Sequence, residues 1–293
     1  MTDNGIGKGG GLTLSTAIVI TVFIGVALYN VVELNFIIFV TFKRYQGLYF
    51  ISFLVSTWGI AFYAVGFLLK DIRASVNSMF FVTLIVVGWC AMVTGQSVVL
   101  YSRLHLVLRD LHQLRLVLIM ILVNAFICHT PIIVMIYGAE SNNPEPFLVP
   151  YTIYEKVQVT IFFLQELIIS GLYIIHTLKV LQPANNIRSK TSRRVMTHLM
   201  YVNIFIVILD ITILCLEYAG LYDIQTAYKA LVYSVKLKLE FSILSQLVEL
   251  TQRTRMPSSE AQTGSENVQM ESLDRAERTR NSSGQTDGKI WGR

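Results

Sequence analysis

Seven long apolar runs alternate with short polar links along this chain, at residues 12–42, 48–69, 79–108, 116–137, 153–181, 195–219 and 226–250. Crossing a hydrocarbon core of about 30 Å takes roughly 20 apolar residues in a helix. Backbone groups in lipid must be satisfied within the segment, so runs of this length are predicted as helices rather than open strands. The link 138–151 holds Pro144, Pro146 and Pro150, and these predict that no continuous helix passes through it.

Composition agrees with this pattern. The 293 residues are 53% hydrophobic and 15% charged, against about 25% charged in an ordinary soluble domain. Thirteen of the forty-three Lys, Arg, Asp and Glu residues lie in the last stretch, 251–293. The remaining body is therefore mostly apolar, broken by short polar links. That body, 12–250, is expected to be one transmembrane domain, after a short extracellular N-terminus at 1–11. The stretch 251–293, rich in Ser, Glu, Gln and Asn, is expected to be a disordered cytosolic tail. Its Asn281-Ser282-Ser283 triplet matches a glycosylation acceptor, but on the cytosolic side it is a chance match. The run 12–42 is too long for the apolar core of a cleavable signal. Cys90, Cys128 and Cys215 all fall in apolar runs, so no disulfide framework is expected.

The net charge of +5 is explained by membrane topology, not by nucleic acid. Links after the first, third and fifth runs carry Lys43, Arg44, Arg103, Arg109, Arg115, Lys179, Arg188, Lys190, Arg193 and Arg194. The other links and the N-terminal segment carry only Lys8, Lys70, Arg73 and Lys156. Basic residues concentrate on the cytosolic side. The expected fold is thus an all-α seven-transmembrane helix bundle, N-terminus outside and C-terminus in the cytosol. Its expected surroundings are the lipid bilayer, most naturally the plasma membrane.

An ionisable residue inside a span is costly and marks a function or a specific partner. In the sixth run Asn203, Asp210 and Glu217 recur every seven residues, which returns to within about 20° of one helix face. In the seventh run Lys229, Lys236 and Glu240 share a face. Consecutive helices are antiparallel, and one register sets Asp210 beside Lys236 and Glu217 beside Lys229. Lys238 points the other way, toward Glu33 of the first run. Glu166 and His129 lie near the middles of the fifth and fourth runs and are expected to pair. These groups either pin helices together or line a ligand pocket or ion path. Arg103, Arg109, Arg115, Arg188, Lys190, Arg193 and Arg194 are candidates for cytosolic coupling or headgroup contact.

Several activities are set aside. The histidines 105, 112, 129, 176 and 198 contain no His-x-x-x-His pair, so no metal site and no zinc hydrolase is expected. The third run has no carboxylate to serve as counter-ion to a retinal Schiff base on Lys236 or Lys238, so no cofactor is expected. No enzyme chemistry is indicated. Helices 1–3 and 5–7 show no matching polar or Pro/Gly pattern, against a repeat-built transporter. Tyr101-Ser102-Arg103 stands where rhodopsin-like receptors place an acidic-Arg-aromatic triplet, but it lacks the acidic residue.

The strings YNVVEL (29–34), KRYQGLYFISFLVSTWGI (43–60), LYSRLHLVLRD (100–110) and VKLKLEFSILSQLVEL (235–250) resemble a family of uncharacterised fungal seven-span integral membrane proteins. These are distantly similar to fungal receptor-type proteins with a rhodopsin-like seven-helix domain. The resemblance covers about residues 15–255 and implies the fold and a fungal source, but no activity. The leading expectation is a receptor-like or sensor-like protein. It would bind a small or lipid-like ligand and signal through the basic inner links to a cytosolic signalling protein. The alternatives are a transporter or channel using the buried charges, and a non-catalytic membrane scaffold.

Overall fold

A computed structural model describes residues 14–41, 47–71, 78–108, 110–139, 145–181 and 189–255. Among them lie seven helices and no strand: α1 (Leu14–Thr41), α2 (Leu48–Asp71), α3 (Ser78–Val107), α4 (Leu111–Ala139), α5 (Glu145–Leu181), α6 (Ser189–Tyr218) and α7 (Tyr222–Arg255). The chain divides into two compact units, Met1–Leu244 and Ser245–Arg293. The bundle described here is the first. The expected tail lies outside the described residues, except that α7 continues to Arg255.

Helices α1 to α6 are each long and apolar enough to cross a membrane. Their outward faces are apolar: Val32 and Phe36 are 70% exposed and Phe126 is 73% exposed. Ser56, Thr57, Gln96, Asn203, Ser234, Lys236 and Glu240 are instead buried. Polar groups held within an otherwise apolar core, beneath an apolar surface, are what a bundle solvated by lipid requires, since tails solvate leucine and not amide or charge. Helix α7, with 34 residues, is long enough to span but far less apolar than the other six. Lys229, Lys236, Lys238 and Glu240 fall within three turns of it.

The link from α6 to α7 is tight. Gly220 adopts φ 71°, the left-handed conformation that ends a helix without a Cβ clash. Its N–H donates to the Glu217 carbonyl at 3.3 Å, while that of Ala219 donates to Cys215 at 2.9 Å. A turn this short makes α6 and α7 antiparallel neighbours. It also fixes the register on which the charged residues meet.

Helices α2 and α3 approach through glycine. Gly59 and Gly66 on α2 are seven residues apart, as are Gly88 and Gly95 on α3. A Cβ on Gly59 would fall 2.5 Å from the Met92 backbone nitrogen, and one on Gly95 would fall 2.8 Å from Ser56 Cβ. Small residues let membrane helices pack backbone to backbone. The two packed helices are also the most enclosed of the six.

Prolines behave differently at two places. Pro131 sits inside α4 and leaves the Ile127 carbonyl without its usual helical donor. The Tyr154 hydroxyl of α5 donates to that carbonyl at 2.6 Å. The expectation that Pro144, Pro146 and Pro150 bar a helix is corrected, because α5 already begins at Glu145. Pro146 occupies the first turn, where the missing N–H would have no acceptor, and Pro150 forfeits one bond. Pro144 lies outside the described residues.

Candidate functional site: three polar layers between α5, α6 and α7

Glu155 and Glu166 on α5 are eleven residues apart, about three helical turns and one face. Asn203, Asp210 and Glu217 form the seven-residue stripe of α6, and Lys229, Lys236 and Glu240 share a face of α7. Packed together, these three stripes build successive polar layers.

In the first layer, nearest the α6–α7 turn, Lys229 Nζ lies 3.2 Å from both Glu155 Oε1 and Glu217 Oε2. Gln225 also donates to Glu217 Oε2. In the second layer Lys236 Nζ donates to Asp210 Oδ1 at 2.6 Å and to Glu166 Oε2. The ammonium also lies 4.8 Å from the Tyr233 ring centroid, a cation–π distance. Both pairs set by the predicted register, Asp210–Lys236 and Glu217–Lys229, are present, and each lysine has gained a second carboxylate from α5.

The third layer is built on Arg103 of α3, which is 1% exposed. Its Nη1 lies 2.8 Å from Glu240 Oε2, and its Nη2 donates to Asn203 Oδ1 at 2.5 Å. Asn203 Nδ2 donates in turn to the Ser170 carbonyl at 3.2 Å. The guanidinium lies 4.3 Å from the Tyr173 ring centroid. One side chain thus joins α3 to α5, α6 and α7. The Arg103–Glu240 approach is close but oblique: neither Glu240 carboxylate oxygen meets an aligned hydrogen-bond donor among the described residues.

Two sequence expectations are corrected here. Arg103 is not a cytosolic anchor, because it is buried and ion-paired. Its acidic partner comes from α7 rather than from its own triplet. Glu166 and His129 do not pair. Glu166 reaches Lys236, while His129 Nε2 lies 2.8 Å from Thr94 Oγ1 and its ring packs edge-on against Trp89. Helix α4 turns His129 toward α3, away from the charged seam.

The remaining candidates are peripheral. Lys238 pairs with Glu33 as expected, half-exposed at 28% and 39%. Arg115 is exposed. Arg109 and Arg188 lie outside the described residues, as do the side chains of Lys190, Arg193 and Arg194. Sequence reasoning also missed a neutral polar seam. Asn124 of α4 donates to Gln165 Oε1 of α5 at 2.8 Å, and Gln165 donates to Ser97 Oγ of α3 at 2.9 Å.

Cavities line up with the layers. A vestibule of about 700 Å³ opens at the α6–α7 turn, with Tyr151, Glu155, Glu217 and Tyr222 in its wall. Tyr151, Glu155 and Tyr222 also line a smaller cavity of about 60 Å³, which adds Lys70, Trp89, Gln158 and Lys229. A third space of about 30 Å³ shares Trp89, Gln158 and Lys229 with it and reaches Glu166 and Asp210. The first layer therefore faces space on the turn side, and the second faces the innermost space.

Fold and site together define a helical, multi-pass membrane protein with a charged interior seam. The chain belongs to the family described as Domain of unknown function (DUF7703), which matches residues 10–264. No curated protein and no solved structure matches it.

Proposed function

We propose a seven-span, sensor-like membrane protein, N-terminus outside, that takes a small ligand into the vestibule at the α6–α7 turn. Ligand occupancy is passed along the layered seam to Arg103. Three features support this. The charges of α7 are neutralised in place, Lys229, Lys236, Lys238 and Glu240 each having an opposite charge within 3.2 Å. Paired charges remove the main objection to burying that helix. With Arg103 set aside, the basic residues read from the sequence in the links after the third and fifth runs, Arg109, Arg115, Lys179, Arg188, Lys190, Arg193 and Arg194, still outnumber those of the other links. A vestibule of about 700 Å³ is within the range of small-molecule sites.

The observation that carries the reading is the Arg103 clamp. It ties α3 to three helices at the far end from the vestibule, through a contact that is short but unaligned. A clamp that can release and re-form would give a sensor its second arrangement. Spin labels at His105 of α3 and Tyr201 of α6, in a cysteine-free protein in nanodiscs, test it. Arg103→Ala should lengthen the label distance by about 2 Å. Val86 lines the cavity of about 60 Å³, and filling that cavity with Val86→Phe should move the same distance. A distance unchanged by both variants would contradict the sensor reading.

A transporter reading is favoured by one observation: each lysine layer holds two carboxylates, beside spaces that share wall residues. Proton or solute flux in proteoliposomes, lost in Asp210→Asn with the fold intact, would select it.

A further inference from the structure

The innermost space, about 30 Å³, lies between the first and second layers and is bounded by Gln158, Glu166, Asp210, Lys229, Tyr233 and Trp89. Two acceptors there have no partner among the described residues: Gln158 Oε1 and Glu166 Oε1. Both side chains are 3% exposed. An unpartnered buried acceptor is costly and calls for a donor or a cation.

Charge gives the sign. Lys229 is shared by Glu155 and Glu217, and Lys236 by Asp210 and Glu166. Each layer thus has two carboxylates for one ammonium. Of the remaining charged groups, Arg103 is matched by Glu240 and Lys238 by Glu33, while Lys70, in the wall of the adjoining cavity with Glu155 and Lys229, offsets the excess of the first layer. The excess that remains, Glu166 and Asp210 over Lys236, lies against this small space and favours a positive occupant.

Size and ligand number narrow the occupant. About 30 Å³ holds an ion with one or two waters, not an organic cation. Calcium takes six to eight oxygens and magnesium a near-ideal octahedron, more than this wall presents. We propose that the space between the Glu155–Glu217–Lys229 and Glu166–Asp210–Lys236 layers is a site for a small monovalent cation, sodium being the probe. Gln158 Oε1 and the free oxygen of Glu166 would face the ion. Entry is from the turn side, through the cavity that shares Trp89, Gln158 and Lys229. The site goes beyond the sensor reading and does not depend on it.

The test is thermal unfolding of the full-length protein in nanodiscs. Sodium chloride replaces choline chloride at fixed ionic strength and pH, with potassium chloride as the size comparison. The midpoint should rise and saturate with sodium, and rise less with potassium. Gln158→Leu touches no ion pair and should fold. It should raise the half-saturating sodium concentration by about tenfold, equivalent to about 1.4 kcal/mol. Asp210→Asn, where it folds, should remove the sodium dependence. Equal midpoints in sodium and choline would overturn the site. So would a midpoint that follows pH but not sodium, which would assign the balancing charge to a proton on one carboxyl.

Discussion

Gly88 of α3 meets Tyr63 of α2 so closely that a Cβ on Gly88 would stand 2.3 Å from the Tyr63 backbone nitrogen. No side-chain rotation relieves a contact with backbone, so the helices themselves would have to part. Gly88→Ala should destabilise the bundle by about 1–3 kcal/mol, the usual range for overpacking. Gly25→Ala on α1 is the control, since nothing lies within 4 Å of a Cβ there. It should be neutral or stabilising by up to about 1 kcal/mol, the helix preference of alanine. Reversible unfolding in bicelles measures both, and equal effects would contradict the close packing.

The hydroxyl of Tyr154 serves the carbonyl that Pro131 leaves free. Tyr154→Phe should cost about 1–3 kcal/mol by stranding that acceptor. Pro131→Ala restores a helical N–H to the same carbonyl. In the Tyr154→Phe background it should therefore recover part of the loss, whereas purely additive changes would sink the assignment.

The second layer predicts an asymmetry. Lys236→Met strands both Glu166 and Asp210 and should cost about 3–5 kcal/mol, as for other broken buried pairs. Asp210→Asn leaves Lys236 on Glu166 and should cost about 1 kcal/mol, nearer the modest average for polar contacts in membrane bundles. Similar losses for the two variants would argue against a shared lysine.

Orientation has its own test. Leu221, at the α6–α7 turn, is 48% exposed. A cysteine there, in a cysteine-free background, should react with an impermeant maleimide added outside intact cells. Protection until the cells are opened would reverse the proposed topology.

The period-seven stripe of α6 and the face shared by Lys229 and Lys236 made two of the buried pairs legible before any coordinates. Period fixes which residues share a face, and a short link between consecutive helices fixes antiparallel register. Neither fixes how a helix is rotated against a neighbour distant in sequence. His129 and Glu166 therefore seemed matched by depth alone, although α4 turns His129 toward Thr94. Glu155 was overlooked because it stands beside Lys156 at the start of the fifth run, where a charge reads as a helix end. Arg103 resembled a loop charge because its partner, Glu240, is 137 residues away in the chain. The glycine contact of α2 and α3 was written in the spacing of Gly59, Gly66, Gly88 and Gly95, but only a known pairing of those helices gives that spacing meaning.

The central claim is that Arg103 is a buried clamp held by Glu240. A double-mutant cycle on Arg103→Ala and Glu240→Ala, by reversible unfolding in bicelles, tests it most directly. The two residues should couple by about 2 kcal/mol, within the range for residues in one charged network. Additivity within about 0.5 kcal/mol, the behaviour of independent sites, would contradict the clamp.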